Sequence, residues 1–408
     1  MDVLPSRPAT PDFYEYQWSP ITGAEVVGEF VVVTWAEGRT LDAHGWWLRE
    51  SLVAPGATDP VTREGTIDPA ELPDDLCVLS AEPTAAGALL VRWSDGCTGM
   101  LHPGWLRHVA DGQHQVDAML PRPEPWTATS LPEPPTFDGP AALADDGELQ
   151  AWLTSLVRYG IGRLRGLPSD QATILRVAHR VGPARDTNFG PAWSVRAQIR
   201  TNAENSTANT GLRLGPHTDL PTREIPPGFQ FLHCLRNTCA GGWSRLTDGA
   251  AVVAHLEAHE PDTYEALRTL RWVFFNRSRE HDHRWSGPMI DHGAPGAPLT
   301  IRAFYPLRAF PDMAPADVPR AYRAAKRFHE LGADPRFQIG YPFEDGDLIG
   351  FDNRRILHAR DAFDDAACDR HLRGCYIDHD EVHSRLRVLI RRRPLTSPIP
   401  AFDDNEHP

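Results

Sequence analysis

Two imidazoles and one carboxylate constrain this chain more than anything else in it. His217 and Asp219 lie two residues apart in Leu212-Arg-Leu-Gly-Pro-His-Thr-Asp-Leu-Pro221, and His358 comes far later, in Gly346-Asp-Leu-Ile-Gly-Phe-Asp-Asn-Arg-Arg-Ile-Leu-His-Ala-Arg360. On an extended segment, positions i and i+2 point to the same side. Two His and one carboxylate can occupy a single face of Fe(II) and leave the opposite positions open. If the three act together, the fold must return a late segment to an early one. Arg370 follows soon after, an always-charged planar fork suited to gripping a dicarboxylate. A lone His-x-Asp is a weak signal in a chain with 18 His, where a loop His bonded to its neighbour is the bland reading. The same donors also suit zinc, so a zinc hydrolase is an alternative.

At 408 residues the chain exceeds one ordinary domain. A formal net charge of −14 argues against a nucleic-acid surface. There is neither a long apolar run nor a basic-then-apolar start, so no membrane span or signal peptide is expected and the cytoplasm is the default compartment. The six Cys lack CxxC spacing and read as reduced packing residues. Residues 1–111 read as a β-rich accessory domain. Glu29-Phe-Val-Val-Val-Thr-Trp35 and Ala88-Leu-Leu-Val-Arg-Trp93 are strands, each followed by a turn and a Trp-Leu segment. His44, His102 and His108 read as surface or packing residues.

The Pro-rich stretch 112–145 is expected to be a semi-rigid linker, and 146–395 the catalytic domain, with 396–408 a tail. Leu149, Trp152, Leu153, Leu156 and Val157 form a helical stripe ending near Gly160, and a second helix falls around Ile174 to Ala178. Short strands follow at Gly228 to Leu235, Leu270 to Phe275, Leu299 to Phe304, Asp347 to Phe351 and His371 to Ile377, interrupted by a helix around Asp317 to Leu331. The fold expected is α+β, mainly β: a double-stranded β-helix, or jelly roll, with flanking helices and a small N-terminal domain.

From about Val31 to Arg393 the chain resembles the γ-butyrobetaine and trimethyllysine hydroxylases among the Fe(II)/2-oxoglutarate dioxygenases. The likeness rests on Pro216-His-Thr-Asp-Leu-Pro221, Pro227-Gly-Phe-Gln-Phe-Leu-His-Cys-Leu235, Gly241-Gly242 with Thr247-Asp-Gly249, the run from Phe351-Asp-Asn353 to His358, and Ser384-Arg-Leu-Arg387. It implies that His217, Asp219 and His358 ligate Fe(II) and that Arg370 holds the distal carboxylate of 2-oxoglutarate, with O2 as co-substrate and ascorbate an optional addition. Phe189, Trp193 and Tyr376 match rings that cage a trimethylammonium group, which aromatic faces attract. Their bland reading is core packing.

The chain also departs from the family. Asn209 stands where a cage Tyr is expected, and Phe304-Tyr305 replaces a substrate-contacting Asn pair, with Arg302 and Arg308 nearby; the bland reading of both Arg is a solvated or structurally paired side chain. In the N-terminal domain, Ser51 and Val53 fall where the family has zinc-binding Cys, and Cys97 sits near the matching His, so zinc is expected to be absent there. Asp219 itself argues against halogenation. The expected function is hydroxylation of an unactivated C–H bond of a small zwitterion, a betaine, amino acid or aminophosphonate, by a homodimer, with release of succinate and CO2. γ-Butyrobetaine hydroxylation proper and a desaturating outcome are the alternatives, and a non-enzymatic binding scaffold is a remote one.

Overall fold

Period-2 alternation in the first hundred residues becomes two three-stranded antiparallel sheets. The computed structural model describes residues 7–54, 57–196, 207–293, 298–303, 308–364 and 368–391. Contacts divide the chain into two units, the first reaching Met119 and the second running from Leu120 to Arg392. In the first, β1 (Ile21–Val27), β2 (Phe30–Trp35) and β3 (Thr40–His44) lead into the short helix α1 (Gly45–Glu50). The grammar then repeats, with β4 (Val78–Pro83), β5 (Leu89–Trp93) and β6 (Thr98–Leu101) leading into α2 (Pro103–Ala110). His44 and His102 turn out to be helix caps. His44 Nδ1 accepts the Trp46 N–H at 3.2 Å, and His102 Nδ1 accepts those of Gly104 and Trp105 at 3.1 and 3.2 Å, satisfying donors that a helix start leaves free. Trp47 and Trp105, one from each repeat, stack at 5.0 Å against a core that includes Trp35 and Trp93.

The second unit takes in the Pro-rich stretch from Leu120 onward. Trp126 is buried, its backbone N–H bonded to Asp248 and its indole to the Tyr159 carbonyl. Then β7 (Thr136–Asp138) and α3 (Gly139–Ala144) precede α4 (Asp146–Tyr159), β8 (Ile161–Arg165), α5 (Thr173–Val181) and β9 (Trp193–Arg196). The apolar stripe of α4 is buried throughout, and the helix stops at Gly160, whose φ of 74° is a left-handed C-terminal turn that Gly adopts without strain.

The second unit continues with β10 (Leu214–His217), β11 (Phe229–Asn237) and β12 (Ser244–Asp248), then α6 (Gly249–His259) and α7 (Pro261–Thr269). Next come β13 (Arg271–Arg277), β14 (Asp282–Gly287), β15 (Ile290–Asp291), β16 (Thr300–Ile301) and β17 (Arg308–Asp312). The chain closes with α8 (Val318–Gly332), β18 (Gln338–Tyr341), β19 (Leu348–Asp352), β20 (Ile356–Arg360), β21 (Arg370–Ile377) and α9 (His379–Ile390). Of the strand expected over Leu299 to Phe304, only Thr300–Ile301 is a strand among the described residues.

One sheet runs β7-β8-β19-β11-β21-β9 and the other β10-β20-β12-β18. The chain crosses between them repeatedly, and Cys234, Leu246, Ile339, Phe351, Ile356 and Leu372 from both sheets form one core. That is the layering of a double-sheet jelly roll. The outer face of the larger sheet presents Phe229, Phe231 and Leu348 to α4, α5 and α9, where Trp152 packs on Phe231 at 5.0 Å. No helix among the described residues is long and apolar enough to cross a membrane.

The expectation that all cysteines are reduced needs correction, because Cys239 and Cys368 form a disulfide with a Cα separation of 5.0 Å. The cause is topological. β11 and β21 are antiparallel neighbours whose register puts Asn237 opposite Arg370, so the segments just beyond them meet. Cys234, the cysteine nearest to Cys239 in sequence, is instead free and buried in the core.

Two measurements check this architecture. Thiol titration of the denatured, unreduced protein should count four reactive cysteines, rising to six after reduction. Trp152→Ala should lower stability by about 3–5 kcal/mol in denaturant unfolding, since it removes a fully buried indole from the helix–sheet interface.

Candidate active site

The site is built where β10 meets β20. These strands pair antiparallel with His217 directly opposite His358, and the two rings lie 4.1 Å apart. Two residues past the end of β10 the chain delivers Asp219, whose Oδ1 is 3.5 Å from His217 Nε2 and 3.7 Å from His358 Nε2. The three donor atoms lie within 4.8 Å of one another, the one such group of His, Cys, Asp or Glu found among the described residues. A facial two-His, one-carboxylate set has this composition.

The surroundings prepare each donor for a cation. His217 Nδ1 is 2.8 Å from the Gly215 carbonyl, which only a protonated Nδ1 can satisfy, and in the neutral ring that tautomer presents the Nε2 lone pair. Burial, with the neighbouring His217 ring second, pushes the His358 imidazole down to about 3, so it is neutral. For Asp219 burial alone would favour protonation. The close His358 and His217 side chains and a hydrogen bond from Tyr376 outweigh it and hold the carboxyl well below its usual range. Tyr376 donates its hydroxyl to Asp219 Oδ2 at 2.8 Å, which leaves Oδ1 facing the imidazoles.

The loop carrying Asp219 is held by Asn353, Thr218 and Arg302. Asn353, fully buried in the turn between β19 and β20, accepts the Asp219 N–H at 2.7 Å and donates to the carbonyls of Asp219 and Pro227 at 3.0 and 3.2 Å. Thr218 bonds the carbonyls of Ile301 and Ala303. Arg302 is a structural arginine, its guanidinium donating to the carbonyls of Pro221, Arg223 and Glu224 at 2.8, 2.6 and 2.8 Å. Leu220, next to Asp219, sits at φ 51°, a left-handed conformation costly for a branched residue and sustained by these bonds.

Arg370, first residue of β21, is 5% exposed, yet its guanidinium has no hydrogen bond or carboxylate partner among the described residues. The guanidinium lies over the Phe363 ring, 5.6 Å from its centre. Arg360 also packs on this ring but donates to the carbonyls of Ala208, Thr210 and Leu212, so of the two it is Arg370 that is left wanting an anion. An unpaired buried cation is costly, and a bidentate carboxylate would complete it.

Of the residues matched to a cage, Trp193 lies against Tyr376 at 4.2 Å and Phe189 stands 6.5 Å from Trp193, 41% exposed. Gly374 makes the first contact possible, since a Cβ there would come within 2.7 Å of the Trp193 ring. Asn209 is buried and accepts the Arg196 N–H at 3.2 Å, which ties it to β9. Tyr305 lies outside the described residues, as does the Arg308 side chain.

Known proteins converge on this region. The profile of the taurine catabolism dioxygenase TauD, TfdA family matches residues 122–376. The chain is 38% identical over 374 residues to a γ-butyrobetaine dioxygenase of Pseudomonas sp. (strain AK-1), covering 91% of this chain and 97% of that one. This chain belongs to the TauD/TfdA dioxygenase family. Within it, the chain is also 30% identical over 364 residues to dioxygenase str8 of Strobilurus tenacellus, covering 84% of each. It is 26% identical over 356 residues to the mitochondrial trimethyllysine dioxygenase of Homo sapiens, covering 84% of this chain and 82% of that one. The chain is accordingly a dioxygenase, and its matched span contains the whole donor cluster and Arg370.

Because Asn353 fixes the backbone on both sides of the Asp219 peptide, Asn353→Ala should weaken metal affinity about 10- to 100-fold, the scale of losses in supporting residues around metals. Calorimetric titration with Mn(II) reads this directly.

Proposed function

We propose that the enzyme is an Fe(II)- and 2-oxoglutarate-dependent hydroxylase of a small zwitterion. Nε2 of His217, Nε2 of His358 and Oδ1 of Asp219 would hold the metal, and Arg370 the distal carboxylate of 2-oxoglutarate. The observation that carries the reading is the pairing of a three-donor cluster with a buried guanidinium lacking any anion. A zinc hydrolase would account for the donors but leave Arg370 unexplained. Such a metal, when bound, supplies activation of O2 coupled to decarboxylation of 2-oxoglutarate, one oxygen atom going to the substrate and the other to succinate.

The chain's own part is ligation, orientation and exclusion of water. Asp219 enters already ionised, and Asn353 and Tyr376 fix which of its oxygens faces the metal. Arg370 orients the co-substrate from a buried strand start. Trp193 and Tyr376, with Phe189 at the exposed side, offer ring faces to a substituted ammonium, an attraction of about 2 kcal/mol when desolvated.

Asn209 brings no ring to this wall, which favours a relative of γ-butyrobetaine over γ-butyrobetaine itself. The second reading, carnitine formation, is supported by the 38% identical relative of that name. A homodimer in the cytoplasm completes the proposal by family resemblance.

The test is succinate formation by the anaerobically iron-loaded protein given 2-oxoglutarate, O2 and a panel of γ-butyrobetaine, trimethyllysine, amino acids and aminophosphonates. His217→Ala and Asp219→Ala should each abolish turnover, and full activity in either sinks the metal assignment. Arg370→Ala should raise the KM for 2-oxoglutarate at least ~30-fold, in line with the roughly 2–5 kcal/mol lost when a buried charge pair is broken. An unchanged KM there removes Arg370 from the site.

A further inference from the structure

A recess of about 360 Å3 with a basic wall lies against the loop that carries Asp219. Leu220, the residue after Asp219, forms part of it, as do Arg223, His281 and His283. The recess abuts the aromatic wall as well. Asn188 lines it and accepts a hydrogen bond from Arg223 at 2.7 Å, while the next residue, Phe189, begins the ring series that runs through Trp193 to Tyr376. Arg223 lies close enough for its charge to act on Tyr376, whose hydroxyl holds Asp219.

The charges in the recess are not internally balanced. Arg185, also in the lining, is committed to Asp378 and to the Ile225 carbonyl. Arg223 has only the neutral Asn188 amide as a side-chain partner and no carboxylate among the described residues. It is partly desolvated, and Arg185 disfavours its charge further. His281, just before β14, and His283, within it, stack at 5.5 Å, and each can turn a ring N–H to an oxyanion. Asp186, the one carboxylate of the lining, is exposed, and Asp282, whose charge reaches His283, is bonded to Arg284. A partly buried guanidinium beside two imidazoles is a site for an anion.

We infer that this recess binds the anionic end of the substrate, with Arg223 as the principal contact and His283 as the second, so that the zwitterion spans from the aromatic wall to Arg223 past the metal. The inference rests on the hydroxylase reading above and adds to it the requirement that the substrate carry a carboxylate or phosphonate. Both are oxyanions at the end opposite the ammonium, and a charge-free end should be rejected.

The experiment uses the full-length protein loaded anaerobically with Fe(II) and 2-oxoglutarate, and follows perturbation of the visible band of that complex as γ-butyrobetaine, its phosphonate analogue or its uncharged amide is added. The wild type should bind at least one of the two zwitterions 10-fold or more tightly than the amide, and which one distinguishes a carboxylate from a phosphonate site. Arg223→Gln should weaken binding of that zwitterion at least 10-fold while leaving the amide unchanged, and Arg223→Lys should recover part of the loss. Should Arg223→Gln fail to fold, His283→Gln carries the test with an expected 3- to 10-fold weakening. Equal zwitterion affinity in wild type and both variants, or a wild type that does not prefer either zwitterion to the amide, overturns the anion site alone. Failure of the wild type to form the band overturns the hydroxylase reading beneath it.

Discussion

The pairing of β10 with β20 is the contact on which the site depends. It sets His217 across from His358, so that two residues remote in sequence become opposed members of one antiparallel ladder. Asp219 then needs only the turn that follows β10 to reach the same point. That turn is strained at Leu220 and is held by Asn353, Thr218 and Arg302, which bind backbone rather than reacting groups. Rigid strands supply the imidazoles and a braced loop supplies the carboxylate.

The larger sheet supports this from behind. Trp152 and its neighbours on α4 bury the outer face of the strands that flank the site, and β21 carries both Arg370 at its start and Tyr376 near its end. One strand thereby links the proposed co-substrate end to the carboxylate end. The buried pair of Arg355 with Asp248, bonded at 2.9 and 2.7 Å, locks the start of β20 to the end of β12 and so fixes the height of His358 along its ladder. Asp248 also caps α6 through the Ala250 N–H, and its strand β12 pairs Leu246 with His358, which explains why a Thr-Asp-Gly motif remote in sequence from the three donors accompanies them.

Much of this was legible in the sequence, and the reason is chemical. His217, Asp219, His358 and Arg370 stand out because few arrangements need those groups together, and the apolar stripe of α4 is written at helical spacing. The supporting residues were harder to see. Asn353 is an ordinary turn residue until its three bonds to the Asp219 and Pro227 segments are known, although it lay within a motif carrying the family likeness. Structural pairing was one reading of Arg302, and its work is to hold carbonyls, though no spacing reveals which ones. The Cys239–Cys368 disulfide depends on strand order and register, information that sits in the sheet rather than in either local sequence. His44 and His102 cap helices because each falls one residue before a Trp-bearing turn, a role that their partial burial alone would not suggest.

The central claim is that the three donors and Arg370 form one site for a metal and a dicarboxylate. The most direct measurement is an anaerobic crystal structure of the protein with Mn(II) and 2-oxoglutarate. The account predicts manganese bound by Nε2 of His217, Nε2 of His358 and Oδ1 of Asp219, with the distal carboxylate of 2-oxoglutarate on the Arg370 guanidinium. Manganese bound elsewhere, or 2-oxoglutarate seated away from Arg370, would contradict it.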